Sequence, residues 1–345
     1  MTIRVLIIAD DLTGALDSAA GFADGSRSVV VARSPEAVPE ALRAAPDVLA
    51  INTSSRETAP PRAARRVEAA FSRLAPDAAS VIFKKVDSRL KGNVATETAV
   101  LARLAQRARQ VACPAIPDMR RIVVNGALSG AGVATPVPVA AHFGNGVEVA
   151  DATTDTDLDA LLAEGLEDTL WIGARGLAFA LARALGAASP RGAQLRGPTL
   201  IVNGSRDPIT IDQIAALADM GSISPAPDGV VPDIDARDGP LVLTITDGGE
   251  GVPGHIAARR LAEGSARVAR RLRPASILFC GGESANACLD QLGVNSLRVT
   301  AELRPGLPLG ETQMDWGPVQ IATKSGGFGV RNTLAEILKG IRHGQ

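Results

Sequence analysis

Short β-branched runs alternate with Ala-rich stretches of helical spacing along almost the whole chain, and this alternation constrains the fold more than any other feature. Ile3–Ala9 is a near-continuous apolar run, the pattern of a strand buried on both faces of a parallel sheet. A helical pattern over residues 13–23 follows, then a strand at 28–32, a helix near 35–44 and a strand at Val48–Asn52. A helix near 61–74 and a strand at 81–84 continue the series. Such spacing predicts an α/β fold, with mostly parallel sheets flanked by helices. Residues 110–150 are less regular, with two short Val-rich strands, and the rhythm resumes with a helix at 158–162, a strand at Thr169–Gly173 and a helix at 177–185. Residues 187–198 (AASPRGAQLRGP) lack apolar periodicity and read as a domain boundary. At about 150 residues per domain, 345 residues fit two domains, 1–190 and 193–345. In the second, strands are expected at Thr199–Asn203, Leu241–Thr246, Ser276–Cys280, 297–301 and 319–323. The Pro-, Asp- and Gly-rich segment 222–240 reads as a loop.

Composition removes several classes of function. Thirty-six Lys and Arg balance 37 Asp and Glu, so the basic excess of a nucleic-acid binder is missing. Charges interrupt every apolar run before the ~18 residues of a membrane span. The opening MTIRVLIIADD carries one Arg and runs directly into acids, unlike a secretory leader. Cys113, Cys280 and Cys288 are scattered, odd in number and without C-x-x-C spacing, as expected of reduced thiols in a cytoplasmic protein. His142, His255 and His343 form no H-E-x-x-H, which gives a zinc hydrolase no support.

The residues that could carry chemistry fall where strands give way to helices, the edge at which open α/β sheets bind ligands. Asp10 and Asp11 end the first strand and could bind a polyol, hold a metal or take a proton from a hydroxyl. Equally, one of them could cap the following helix. A haloacid dehalogenase would need Asp-x-Asp, and these acids are adjacent. A second strand ends in Asn52, Ser55 and Arg56, and a third in the run Lys84 to Asn93 (KKVDSRLKGN). Three strand ends bearing acids, hydroxyls and bases suit a small, hydroxylated anion. In the second half, Gly281 and Gly282 follow one strand and Gly326 and Gly327 follow another, while Asn203-Gly204-Ser205 ends a third. Paired glycines let backbone N–H groups approach a phosphate, so these turns suggest a nucleotide site. Gly249 to Gly254 matches G-x-G-x-x-G, so an NAD-dependent dehydrogenase is a rival reading. Against it, no acid ends the next strand to hold a ribose; separately, no Walker A sequence occurs, so a P-loop has no support.

Taken in order, these motifs resemble the four-carbon acid sugar kinases. ADDLTGA (residues 9–15) is similar to that family's N-terminal motif, and KKVDSRLKGN to its K-K-x-D-S-x-L-R-G-N block. CPAIPDMRR…NG (113–126), VNGSRDPIT (202–210), GGESA (281–285), RPGLPLG (304–310) and KSGGFG (324–329) follow in the family's order. The resemblance implies an N-terminal domain for the sugar acid, a C-terminal domain for ATP with Mg2+, and phosphorylation of the terminal hydroxyl of threonate, erythronate or a 3-oxo form. By matching position, Asp10, Asp11 and Asp87 would be the catalytic carboxylates, with Asp10 or Asp11 ahead of Asp87. Arg56, Lys85, Ser88, Lys91, Gly92, Asn93 and Arg121 would line the substrate, with Arg56 and the 84–93 loop on its carboxylate. Ser205, Gly281, Gly282, Glu283 and Ser284, with Lys324, Ser325, Gly326 and Gly327, would meet the nucleotide. Arg89 stands where the family usually has a small residue, Lys91 where it has Arg, and Arg120 where it has Gly. The stretch after Asn125-Gly126 is compressed. These departures motivate a third reading, a sensor that binds the sugar acid or nucleotide without turnover. The implied partners are the sugar acid and ATP, with neither nucleic acid nor membrane, and a homodimer stays open.

Overall fold

All of β1 (Ile3–Ala9) except Arg4 is buried, as a strand covered on both faces must be. The computed structural model describes residues 3–75, 78–234 and 239–341 and divides into two compact units, Met1–Arg191 and Gly192–Gln345. In the first, β1 leads into α1 (Leu12–Ala20), and β2 (Val29–Ala32), α2 (Val38–Arg43) and β3 (Val48–Asn52) follow. Next come α3 (Pro60–Phe71), which has proline in its first turn, β4 (Ala79–Lys85), α4 (Val94–Ala105) and β5 (Arg109–Cys113). A small antiparallel sheet, β6 (Arg121–Val124), β7 (Ala127–Gly130) and β8 (Val137–Pro138), occupies the irregular stretch. The unit closes with β9 (Glu148–Val149), α5 (Asp155–Leu161), β10 (Thr169–Gly173) and α6 (Arg175–Ala184). Its main sheet runs β2-β3-β1-β4-β10-β5-β9 with every pair parallel. The core is aliphatic with few aromatics, Trp171, Phe83 and Phe22 among them.

Register fixes the functional edge. Ala9 pairs with Asn52 on one side and Lys85 on the other, so β1, β3 and β4 finish level. Whatever follows those three residues issues from one place.

The second unit holds β11 (Thr199–Asn203), α7 (Pro208–Ala215), β12 (Ser222–Pro227) and β13 (Leu241–Thr246). Then come α8 (Gly254–Leu272), β14 (Ser276–Cys280), α9 (Gly282–Gln291), β15 (Ser296–Arg304), β16 (Leu307–Met314), β17 (Gly317–Lys324) and α10 (Thr333–Lys339). The order is β12-β13-β11-β14-β17-β16-β15, parallel as far as β17 and antiparallel through the β15–β16–β17 meander. The expected loop at 222–240 is corrected at its start, because residues 222–227 form a strand. It carries Pro225 and Pro227, which the sheet tolerates because β12 pairs on one side with β13 and, within this unit, its other edge needs no proline N–H. The meander was legible only in part. The motif RPGLPLG is the β15–β16 turn, with Gly306 in the left-handed region at φ 78°.

One buried ion pair ties sheet to helix in the first unit. Lys84 on β4 is fully buried, and its ammonium lies 2.7 Å from Glu97 on α4. Removing one partner from a buried pair leaves an uncompensated charge, at a cost of about 3–5 kcal/mol. Lys84→Met is therefore expected to lower unfolding free energy by that order in urea melts. Adding Glu97→Leu should recover most of the loss.

Candidate functional site

At the carboxyl edge of the first unit, Arg56 is ringed by three carboxylates. Its Nε and Nη2 donate to the two oxygens of Asp10 at 2.8 and 2.9 Å, a bidentate pair. Nη1 donates to Asp11 Oδ2 at 2.9 Å and lies 3.6 Å from Asp87 Oδ2. Burial works to raise the Asp10 pKa, but the Arg56 charge and hydrogen bonds, with Lys84 and Lys85, bring it below 3.8. Burial likewise opposes the Arg56 charge, yet Asp11, Asp10 and Asp87 together raise its pKa. The guanidinium is thus neutralised within the protein. It organises the acids, and the contact to a substrate carboxylate expected of Arg56 would compete with them.

Asp11 caps the helix, one of the readings weighed for it, and has a second contact besides. It is the N-cap of α1, accepting Gly14 N–H at 2.8 Å and the Thr13 hydroxyl at 2.6 Å, while also facing Arg56. Asp87 differs: Oδ1 accepts the N–H of Arg89 at 2.9 Å and of Lys91 at 3.3 Å, and Oδ2 has only the longer contact to Arg56. Asn93 and Gly92 belong to the support. Asn93 Nδ2 donates to the carbonyls of Ser55 and Thr58 at 2.9 and 2.8 Å, fastening the loop that carries Arg56. Gly92 has φ 89°, and a Cβ there would press on Arg56. Lys85 is buried and donates to the Val86 carbonyl at 2.7 Å, with its ammonium over Gly14 at the start of α1. Asn52 and Ser55 are spent on the loop: Asn52 holds Ser54 and the Arg33 carbonyl, and Ser55 shares a hydrogen bond with Thr53.

Arg121, at the start of β6, reaches the same region. It donates to Ser88 Oγ at 2.6 Å and to the Ala131 carbonyl at 2.8 and 3.0 Å. Burial lowers its pKa and the nearby Arg89 charge lowers it further, against the opposing effect of Asp87. A second cation close enough to be felt at Arg121 makes the region favourable to an anion. Arg120 adopts φ 55°, a left-handed backbone that favours glycine.

In the second unit, Ser205 lies between the two Gly-rich turns. Asn203 Oδ1 accepts its N–H at 3.0 Å, a Cβ on Gly281 would lie 3.5 Å from that nitrogen, and a Cβ on Gly326 would press on the Ser205 hydroxyl. Gly281 has φ 104° and precedes α9, whose first turn holds Gly282, Glu283 and Ser284. Gly204 must lack a side chain because Ser284 fills that space. Lys324 is placed differently from the expectation. Its buried ammonium donates to Thr210 Oγ1 at 2.8 Å and to the carbonyls of Ser325 and Gly326 at 3.0 and 3.1 Å, so it braces the loop from within. Burial lowers its pKa, against Cys280 and Asp207. Asp207, the cap of α7, and Thr210 fall within the VNGSRDPIT motif with no role assigned to them from sequence, and Gln213 on α7 lies beyond it. Gln213 holds the carbonyls of Phe328 and Val330 at 3.0 and 2.9 Å, and Asp207 Oδ2 faces Gly327. The signal was present, since Asp-Pro opening a helix is a capping pattern.

No group of three or more His, Cys, Asp or Glu able to hold a metal occurs among the described residues, nor does any described helix have the length and apolarity to cross a membrane. His343, one of the three scattered histidines, lies outside the described residues.

Because the Asp10 pKa is depressed on folding, its ionisation stabilises the fold above the ordinary carboxylate value and that contribution is lost as pH falls through the lowered one. Asp10→Asn is expected to flatten the acid limb of stability against pH below about pH 4, read by denaturant melts across pH.

Residues 5–142 match a sugar-binding N-terminal domain family and residues 232–334 a nucleotide-binding C-terminal domain family. A D-threonate kinase of Cupriavidus necator is 33% identical, with 95% of this chain and 96% of the relative covered. A D-threonate kinase of Bordetella bronchiseptica is 30% identical over 97% of each, and a 3-oxo-tetronate kinase of Methylobacterium radiotolerans 28% identical over 95% and 97%. The first alignment spans 405 positions against 345 residues here, so gaps fall within this chain. Among solved structures, a Salmonella typhimurium LT2 protein superposes with TM-score 0.77 at 19% identity, covering 99% of this chain and all of the other. That likeness bears on the fold. With near-complete coverage on both sides and both domain families matched, the chain belongs to the four-carbon acid sugar kinase family.

Proposed function

We propose that this protein transfers the γ-phosphoryl group of ATP to the terminal hydroxyl of a four-carbon sugar acid, threonate or a 3-oxo-tetronate by analogy with its relatives. The observation that carries this reading is the carboxylate ring around Arg56, with Arg121 bonded to Ser88 next to Asp87 and its pKa lowered by burial and by the Arg89 charge. Acids next to a place for an anion suit a molecule with a hydroxyl at one end and a carboxylate at the other. Arg121, Arg89 and the exposed Lys91 take the carboxylate. Since Lys cannot reproduce a bidentate Arg contact, the guanidinium of Arg121 supplies the directional hold.

Phosphoryl transfer asks chiefly for positioning and charge stabilisation. Among the three acids, Asp10 is saturated by Arg56 and Asp11 by Gly14, Thr13 and Arg56. Asp87 Oδ2 is the least committed oxygen, so Asp87 moves ahead of Asp10 and Asp11 as the group that orients the hydroxyl and accepts its proton. The hydroxyl oxygen bonds to the γ-phosphorus as the bond to the β–γ bridging oxygen breaks, releasing ADP. Gly281 and Gly282 offer backbone N–H groups at the start of α9, and Ser205 and Ser284 offer hydroxyls. Mg2+ held with ATP draws most of its ligands from phosphates and water and needs one or two carboxylates. Asp207, whose Oδ2 faces Gly327, and Glu283 at the other Gly-rich turn fit that need; the ion would neutralise phosphate charge.

ADP release measured against a panel of four-carbon acids tests the proposal, and absence of turnover with every acid despite ligand binding would return the sensor reading. Asp87→Asn is expected to lower kcat about 10²–10⁴-fold with ADP affinity unchanged, the usual contribution of a positioned base. Asp11→Asn keeps the cap, because Asn caps as well as Asp, and should cost far less. A larger loss at Asp11 than at Asp87 would reverse the assignment.

A further inference from the structure

Helix α6 opens with a buried cation. Arg175 is its first residue, no acid shares its first turn, and Ala174 caps it without a side-chain hydrogen bond. A guanidinium there meets the positive end of the helix dipole and, at 3% exposure, has given up its water as well. Two acids from other elements offset this. Nη1 donates to Asp17 Oδ1 on α1 at 2.7 Å, and Nε lies 3.5 Å from Asp118 Oδ2 in the short 3-10 turn Pro117–Met119. The sugar-acid and nucleotide contacts assigned above involve none of these three residues.

Register sets Arg175 at the functional edge. Gly173 pairs with Lys85 and with Cys113, so β10 and β5 finish level with β1, β3 and β4, and Arg175 stands two residues beyond. The chain leaving β5 crosses the start of α6 at backbone contact, since a Cβ on Gly176 would collide with the Ala115 carbonyl. That chain then closes on itself. Ile116 and Arg121 exchange backbone hydrogen bonds at 2.8 and 3.1 Å around the 117–119 turn. Asp118 is therefore at the tip of a loop whose base ends in Arg121, the residue that donates to Ser88.

On its other side, α6 is fastened to α1. The Arg175 guanidinium lies 3.8 Å over the Phe179 ring one turn on, and a Cβ on Gly21, just past α1, would press on that ring. Stacking fixes the plane of the guanidinium, which a lysine ammonium could not reproduce. One cation thus joins the helix that Asp11 caps to the turn that ends in Arg121.

We infer that Arg175 is a positioning residue: through Asp17 and Asp118 it sets where Arg121 stands relative to the carboxylates of Asp10, Asp11 and Asp87, and with that the span between the two ends of the sugar acid. The inference rests on the kinase reading for what those two ends hold, and it adds the residue that spaces them.

Steady-state kinetics with the D and L forms of threonate and erythronate, and calorimetry of the same acids and of ADP, test it on the full chain. Asp118→Ala removes the tip contact at a side chain 41% exposed, where water takes its place. Arg175→Met removes the charge and keeps an apolar stem. Each is expected to raise KM for the acid about tenfold, with kcat within about twofold and ADP affinity unchanged, because a binding contact is misplaced while the reacting groups are not. The double variant should match Arg175→Met alone, since both changes act through one contact. A folded Asp118→Ala variant with wild-type KM overturns the inference, as does a loss that falls on kcat or ADP affinity, or a double variant in which the two effects multiply. If Arg175→Met fails to fold, Asp118→Ala decides alone. Wild-type protein that binds one of these acids without turning it over overturns the kinase reading and spares the tie, which the calorimetric Kd of that acid in Asp118→Ala then decides. Wild-type protein that binds none of them overturns both.

Discussion

Parallel pairing sends every strand of the first unit's main sheet to the same edge, and the level finish of Ala9, Asn52 and Lys85 turns three remote sequence segments into one surface. Nothing in the local sequence around Asp10 calls for Arg56 or Asp87. Arg56 arrives because the backbone N–H groups of Ser55 and Arg56 hydrogen-bond to the Asp10 carbonyl, prolonging the β1–β3 ladder, and Asp87 because it follows Lys85, the β4 residue paired with Ala9. The sheet thus does the positioning, and the side chains are left to adjust charge.

That adjustment follows from desolvation. A buried carboxylate as enclosed as Asp10 would protonate unless a cation met it, and a guanidinium as buried as Arg56 would be equally unfavourable alone. Sharing one planar cation among three acids satisfies both, and it fixes the acids in a known orientation. The same logic recurs with Lys84 and Glu97 behind the site, and with Lys324 among loop carbonyls in the second unit. In each case a charged residue that looks from the sequence like a ligand-binding group has been spent on holding a loop or a helix. The groups proposed for ligands are Asp87 Oδ2, with only a 3.6 Å contact to Arg56 among the described residues, Arg121, whose hydrogen-bond partners are uncharged, and the backbone of the Gly-rich turns.

Much of the fold was legible because buried parallel strands write themselves as apolar runs. Val48–Asn52, Thr169–Gly173, Thr199–Asn203, Leu241–Thr246 and Ser276–Cys280 have the bounds expected of them. The failures have physical causes. Residues 222–227 looked like loop because Pro225 and Pro227 are tolerated on an edge strand, and being on an edge is a property of the sheet. β16 is antiparallel and carries Pro308, Gly310 and Glu311, so it lacks the aliphatic run that marked its neighbours. At the site, the sequence located the acids, bases and glycines at strand ends, but burial and partner geometry sort them into roles. That Arg56 is bonded to Asp10 and Asp11, and Lys324 to Thr210 and loop carbonyls, is invisible without coordinates.

The departures from the family pattern also sort by backbone and charge. Arg120 sits at φ 55°, strained for an L side chain, yet the turn is kept: its N–H still donates to the Pro117 carbonyl at 2.9 Å and its carbonyl accepts Ala131 N–H at 3.0 Å. A change there alters the cost of the turn more than its shape, and it leaves Arg121 aimed at Ser88. Arg89 is different, because it adds a cation beside Arg121 and so raises the positive potential where the sugar carboxylate is proposed to sit. With Lys91 in place of an Arg two residues away, directional bidentate contact is exchanged for charge. On the proposed reading the directional hold then falls to Arg121 alone, and Arg89 and Lys91 contribute charge, which is less demanding of the ligand's geometry than a second guanidinium fork would be.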